Sequence, residues 1–188
     1  MVLAFLQGEI DSPRFGSMYY TWLYNFRLNR ADLIDNADLA SQEQNAIRIE
    51  LLKAVRGYRA GKLLFRGFPA DVRWLRISLT PEEFPTMKYA NHETWVVLSG
   101  GSRLVIDGGR NIECIPAGED ANVNIRAVTS ALKNGKRYPP LIGVRGEKGD
   151  IILTEGHTRA TAYVVAELRE NVELLSGSSP LMKNWAFY

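Results

Sequence analysis

A carboxylate, a glycine, an imidazole, a hydroxyl and a guanidinium follow one another at Glu155-Gly156-His157-Thr158-Arg159, with Ala160-Thr161-Ala162 behind them. The apolar run Ile151-Ile152-Leu153 before them reads as a buried strand, and Gly156 breaks it. From His157 to Arg169 the pattern is helical, with Ala162, Val165 and Leu168 on the inner side. A strand that runs through glycine into a helix leaves N–H groups without intrahelical partners at the helix start. The macrodipole adds partial positive charge there, so the place attracts anions. Gly156 has no Cβ to keep a ligand off the backbone. Thr158 adds a hydroxyl, and Arg159 a guanidinium able to grip two phosphate oxygens. We expect the turn to bind a nucleotide phosphate through Gly156, His157, Thr158 and Arg159.

Glu155 changes the chemistry. A carboxylate beside a phosphate repels it unless a cation lies between, so Glu155 is a candidate to hold Mg²⁺ or another divalent cation, or to orient an attacking water. His157 could donate a proton or touch the phosphate. The catalytic candidates are therefore Glu155, His157 and Arg159. Plainer roles stay open: Glu155 as a helix cap, His157 as an ordinary surface residue. Nearby, Lys133, Lys136, Arg137, Arg145 and Lys148 stand against Glu147 alone. Of these, Lys136, Arg137, Arg145 and Lys148 are candidates to contact DNA, although a solvated surface accounts for them equally. The loop Ser99-Gly100-Gly101-Ser102-Arg103 can hold an anion, but without the Lys-Ser/Thr of a P-loop an ordinary turn explains it better. The relation of Arg103 and Asp107 to the site is left undecided.

The elements that must position these groups are partly legible. Leu141-Ile142-Gly143-Val144 reads as a strand after the extended Tyr138-Pro139-Pro140, and Glu147-Lys148-Gly149-Asp150 as the hairpin turn to the next. A helical stripe (Ile125, Val128, Leu132) stops at Asn134-Gly135. Arg73 to Leu79 alternates as a half-buried strand, and Thr80-Pro81-Glu82-Glu83 reads as a helix start that Pro85 cuts short or breaks. Trp95 to Leu98 fits strand or helix. Ser41-Gln42-Glu43-Gln44 caps a helix carrying Ile47, Leu51, Leu52 and Val55 that stops at Gly57 or Gly61. Residues 12 to 30 are rich in aromatics, with Arg27 and Arg30 beside them; such residues can stack on bases but more often fill a core. Ser176-Gly177-Ser178-Ser179-Pro180 reads as a flexible linker. The expected architecture is α+β: a mixed sheet flanked by helices (residues 66–188), with a helical segment (residues 1–65) packed on it, or one continuous domain.

The chain has 188 residues, with 23 basic and 21 acidic side chains and a net charge of +2, which gives no histone-like argument for nucleic acid. A single cysteine, Cys114, excludes an internal disulfide and a cysteine-rich zinc cluster and suits a reducing compartment. The amino terminus lacks the basic start of a signal peptide, and no run approaches the ~20 apolar residues of a membrane span. A cytoplasmic location is expected.

The order of features from Asn124 to Tyr163 resembles the ParB/sulfiredoxin-like superfamily. Helix, proline-containing strand and hairpin lead into Glu155-Gly156-His157-Thr158-Arg159-Ala160-Thr161-Ala162, which looks like that superfamily's G-x-x-R-x-x-A phosphate motif. Partition ParB proteins carry consecutive arginines where Thr158 precedes Arg159 here, and continue into a helix-turn-helix that the residues after Arg169 cannot supply. Sulfiredoxins place a catalytic cysteine where His157 stands. Centromere clamping and sulfinic-acid repair are thus disfavoured. The layout is similar to the fertility-inhibition (oncogenic-suppression) proteins of conjugative plasmids. That resemblance implies ATP binding and hydrolysis, DNA binding with nuclease activity, and interference with a conjugative or type IV secretion apparatus or a transferred effector protein. The expectation is a metal-assisted phosphohydrolase. The alternatives are a non-catalytic nucleotide-gated module that blocks a protein or DNA partner, and a toxin-like nuclease or phosphotransferase.

Overall fold

A computed structural model describes residues 1–112, 120–147 and 149–188, with only the backbone of 120 and 121. Cys114 and Lys148 lie outside the described residues. The chain divides into two units: residues 1–70 with 184–186, and residues 71–183 with 187–188.

The first unit is helical. Helix α1 (Val2–Glu9) and helix α2 (Gly16–Asn25) precede a π-type turn at Ala31–Asp35 and helix α3 (Gln42–Arg56). The Ser41 side chain accepts the Gln44 N–H at 3.2 Å, and Gly57 closes α3 at φ +80°, so the capping signals act where the sequence places them. Phe5, Leu6, Tyr19, Leu51, Leu52 and Phe65 form the buried interior. Two polar groups are buried with them. Glu9 accepts the Tyr19 hydroxyl at 2.7 Å and pairs with Arg56 at 3.2 Å. Arg48 donates to the Leu33 carbonyl at 2.6 Å and the Asp38 carbonyl at 3.2 Å, tying the segment between them to α3, and burial lowers its pKa. The Trp185 indole N–H donates to the Leu64 carbonyl at 2.7 Å.

The second unit is α+β. Its sheet has the order β1-β4-β2-β3, formed by β1 (Arg73–Leu79), β2 (Leu141–Arg145), β3 (Ile151–Glu155) and β4 (Val172–Ser178). β1 and β3 are antiparallel to their neighbours, and β4 runs parallel to β2. Helices α4 (Glu93–Leu98), α5 (Val105–Asn111), α6 (Asp120–Lys133) and α7 (His157–Val165) complete it, and both α5 and α6 pack on α7. Leu79, Leu141, Leu153, Val172 and Leu174 of the sheet meet Tyr89, Ala160 and Tyr163 in one apolar core.

Two open expectations are settled and two are corrected. Residues 95–98 are helical. The Thr80 box forms, with Thr80 N–H to Glu83 at 2.9 Å and Glu83 N–H to Thr80 at 3.3 Å, but only a 3₁₀ turn at Phe84–Thr86 follows it. Helix α7 stops at Val165 instead of Arg169, because Glu167 adopts φ +51° and turns the chain back. Ser176 to Ser178 belong to the inner strand β4, not to a linker. The glycine has a packing cause: a Cβ at Gly177 would lie 2.8 Å from Val72 and 2.9 Å from Trp74.

Candidate functional site

β3 delivers Glu155 to the start of α7 through a bulge. Gly143 pairs with Leu153 while Ile142 pairs with Glu155, so Thr154 is the extra residue. Bulges re-aim the side chains that follow them. The Thr154 hydroxyl is buried with no hydrogen-bond partner among the described residues. Gly156 is the N-cap at φ +94°, and the first bond within α7 is Ala160 N–H to Gly156 C=O at 2.8 Å. The N–H groups of His157, Thr158 and Arg159 precede it, and no side chain caps them. Gly156 also fills a tight place: a Cβ there would stand 2.5 Å from Leu141 and 3.2 Å from the Arg159 guanidinium.

Arg159 and Glu155 form a buried ion pair, with 5% and 7% of their surfaces exposed. The other guanidinium arm donates to the Pro139 carbonyl. The proline pair 139–140 keeps this segment extended, which is the signal by which Pro139 could have been found. A cation in the first turn of a helix faces its positive end, and the Glu155 carboxylate offsets both charges. Tyr163, one turn beyond Arg159, packs edge-on against Phe84 at 6.2 Å, and burial raises its pKa.

His157 is held by rings that sequence reasoning did not connect to it. Trp95 stacks on it at 5.1 Å and 17°, and Tyr89 lies 6.0 Å away at 18°. Its Nε2 accepts the Ala90 N–H at 3.2 Å. The Tyr89 hydroxyl bonds Thr161 at 2.7 Å, and Thr161 donates to the His157 carbonyl at 2.8 Å. Burial raises the Tyr89 pKa.

The other candidates are placed as follows. Thr158 is half-buried on the first turn of α7. Arg137 pairs with Glu170 at 2.8 Å on the surface, and Lys136 lies over the Tyr138 ring at 5.1 Å. Arg145 is exposed at the end of β2. Arg103 donates to the main-chain oxygens of Tyr89 at 3.0 Å and Tyr188 at 3.2 Å, so it binds the chain's own carbonyls. Asp107 accepts from Ser102 at 2.7 Å.

Among the described residues no three metal-ligating side chains cluster, and Glu155 already has one oxygen on Arg159. This donor set does not by itself hold a divalent cation. Magnesium that arrives with a nucleotide is ligated mainly by phosphate oxygens and water. None of the protein-family models, curated proteins or solved structures compared with the chain matches it. Among the described residues no helix is long and apolar enough to cross a membrane.

Proposed function

We propose that the chain binds a nucleotide at the start of α7 and hydrolyses it. The observation that carries this reading is the buried Glu155–Arg159 pair directly beneath the N-cap Gly156. A phosphate on the first turn competes with Glu155 for the guanidinium. If it wins, Arg159 grips the phosphate and the released carboxylate is left beside it, able to take a proton from an attacking water. His157, hydrogen-bonded at Nε2, orients the turn. This fits the ParB/sulfiredoxin-like pattern of the sequence. On that resemblance Arg145 and the basic edge near it contact DNA, and the biological result is a block of conjugative or type IV DNA transfer.

The test is calorimetric titration with ATP, CTP and ADP as their Mg²⁺ complexes, followed by a phosphate-release assay. We expect binding by the wild type, and no hydrolysis but retained binding in Glu155→Ala. No binding of any nucleotide sinks the reading. Equal loss of binding and turnover makes Glu155 structural. A second reading, a nucleotide-gated binding protein without turnover, is favoured by the mutual neutralisation of the pair. Tight binding with no phosphate released would establish it.

A further inference from the structure

We propose that two copies of the chain pair through β1, edge to edge and antiparallel, about a two-fold axis at Arg76, making one continuous sheet. The two edges of the four-stranded sheet are finished differently. Beyond β3, the Lys88 N–H donates to the Ile151 carbonyl at 2.7 Å and its carbonyl accepts the Leu153 N–H at 2.8 Å, so that edge is covered. Beyond β1 no strand follows among the described residues. β1 keeps seven residues in unbroken register with β4, so it has neither the bulge nor the proline that would blunt an edge. Leu75 is 63% exposed, and it shares a face with Ile77 and Leu79, whose side chains reach the core.

The edge itself selects an extended polypeptide, because a strand answers its alternating N–H and C=O groups. A second β1 answers its side chains as well. With Arg76 on the axis, Leu75 lies opposite Ile77 of the second copy, and Ile77 opposite the second Leu75, so the exposed apolar side chain is covered at both places. Arg73 lies opposite Leu79 of the second copy, beside the turn that carries Glu82; both Arg73 and Glu82 are exposed. Opposite charges thus meet at each end of the paired strands. Asp71, the other acid near this end, is engaged by Ser179 at 2.7 Å. The one like-charge contact, Arg76 against Arg76, is relieved within each chain. Glu173 of β4 holds that guanidinium at 3.2 Å, drawing it inward over the sheet and away from the axis. Moving the axis to Leu75 would instead set Arg73 against Ile77 and take it away from Glu82. β1 and β3 form opposite edges of the sheet, so the inference stands whether or not the α7 turn binds nucleotide.

The experiment is sedimentation equilibrium of the full chain from about 5 to 200 μM, because two short strands make a small interface and micromolar association is expected. Leu75→Lys removes both apolar pairs and should weaken dimerisation by about 2- to 30-fold. Arg73→Glu and Glu82→Arg should each weaken it by a similar factor, about 2- to 30-fold, and the two together should restore it. A merely structural role of either residue would show no such rescue. Register is read by oxidative cross-linking in a Cys114→Ser background. Arg76→Cys places two thiols across the axis with Cα atoms about 4.5–5.5 Å apart, so a covalent dimer should form. Ser78→Cys, opposite Trp74 of the second copy, should not cross-link. Residues 73, 75, 76, 78 and 82 are all exposed, so their replacement leaves the core untouched. The proposal is overturned if the chain is monomeric throughout, which would leave the edge to a strand of another protein. It is equally overturned if neither Leu75→Lys nor the charge reversals weaken the dimer, or if Ser78→Cys cross-links as readily as Arg76→Cys.

Discussion

Glu155 and Arg159 each remove from water a charge that is expensive to bury alone. Arg159→Ala leaves the carboxylate without its partner, so we expect a loss of about 3–5 kcal/mol in urea unfolding. The double replacement Glu155→Gln with Arg159→Met should cost less than the sum of the singles, because neither charge is stranded. Additive losses would show that the pair does not act as a unit. Gly156→Ala is expected to cost about 1–3 kcal/mol, since alanine is strained at φ +94° and its methyl would stand 2.5 Å from Leu141. The residue types at this turn were legible in the sequence, because glycine, arginine and glutamate at a strand end stand out. Their partners were not. That Arg159 spends one arm on Pro139, twenty residues back, and that His157 lies under Trp95 follow from packing between distant segments, which no local pattern carries.

Helix α5 shows where element-level reading stops. Asp107-Gly108-Gly109-Arg110 has the composition of a turn, yet it is helical. Glycine is needed because a Cβ at Gly108 would meet the Tyr89 hydroxyl at 2.2 Å, and one at Gly109 would meet Val164 at 2.3 Å. The helix trades its own propensity for close approach to Tyr89 and α7. Gly109→Ala should therefore destabilise by about 1–3 kcal/mol, although alanine is the better helix former. A stability gain in thermal unfolding would contradict the packing argument. Ser41→Ala, by contrast, removes a cap made within its own helix, with an expected loss of about 1 kcal/mol. The contrast explains the pattern of legibility. Helix α3, β1 and the hairpin strands announce themselves through caps and alternation. α4, α5 and β4 are decided by what lies against them.

At the scale of the whole molecule, the buried tyrosines set an alkaline limit. Burial raises the pKa of both Tyr89 and Tyr163 in the folded chain. An unfolded tyrosine titrates near about 10, so above that pH the unfolded state releases protons that the folded state retains. The stability they contribute is fully present below about pH 10 and falls as the pH rises further. Urea midpoints should be flat between about pH 8 and 9.5 and then decline, with a shallower decline in Tyr163→Phe. An unchanged slope in that variant would remove Tyr163 from the account.

The strand order β1-β4-β2-β3 has a temporal consequence. β1 is complete at Leu79, but its one neighbour in the sheet among the described residues begins at Val172. During synthesis at roughly 5–20 residues per second, β1 waits on the order of ten seconds as an open ladder before its mate leaves the ribosome. The β2–β3 hairpin closes earlier, yet the flank that will accept β4 stays bare as well. Both edges are templates for the wrong strand during that interval. The nascent chain, more than the finished protein, is the form most exposed to aggregation and most in need of a chaperone.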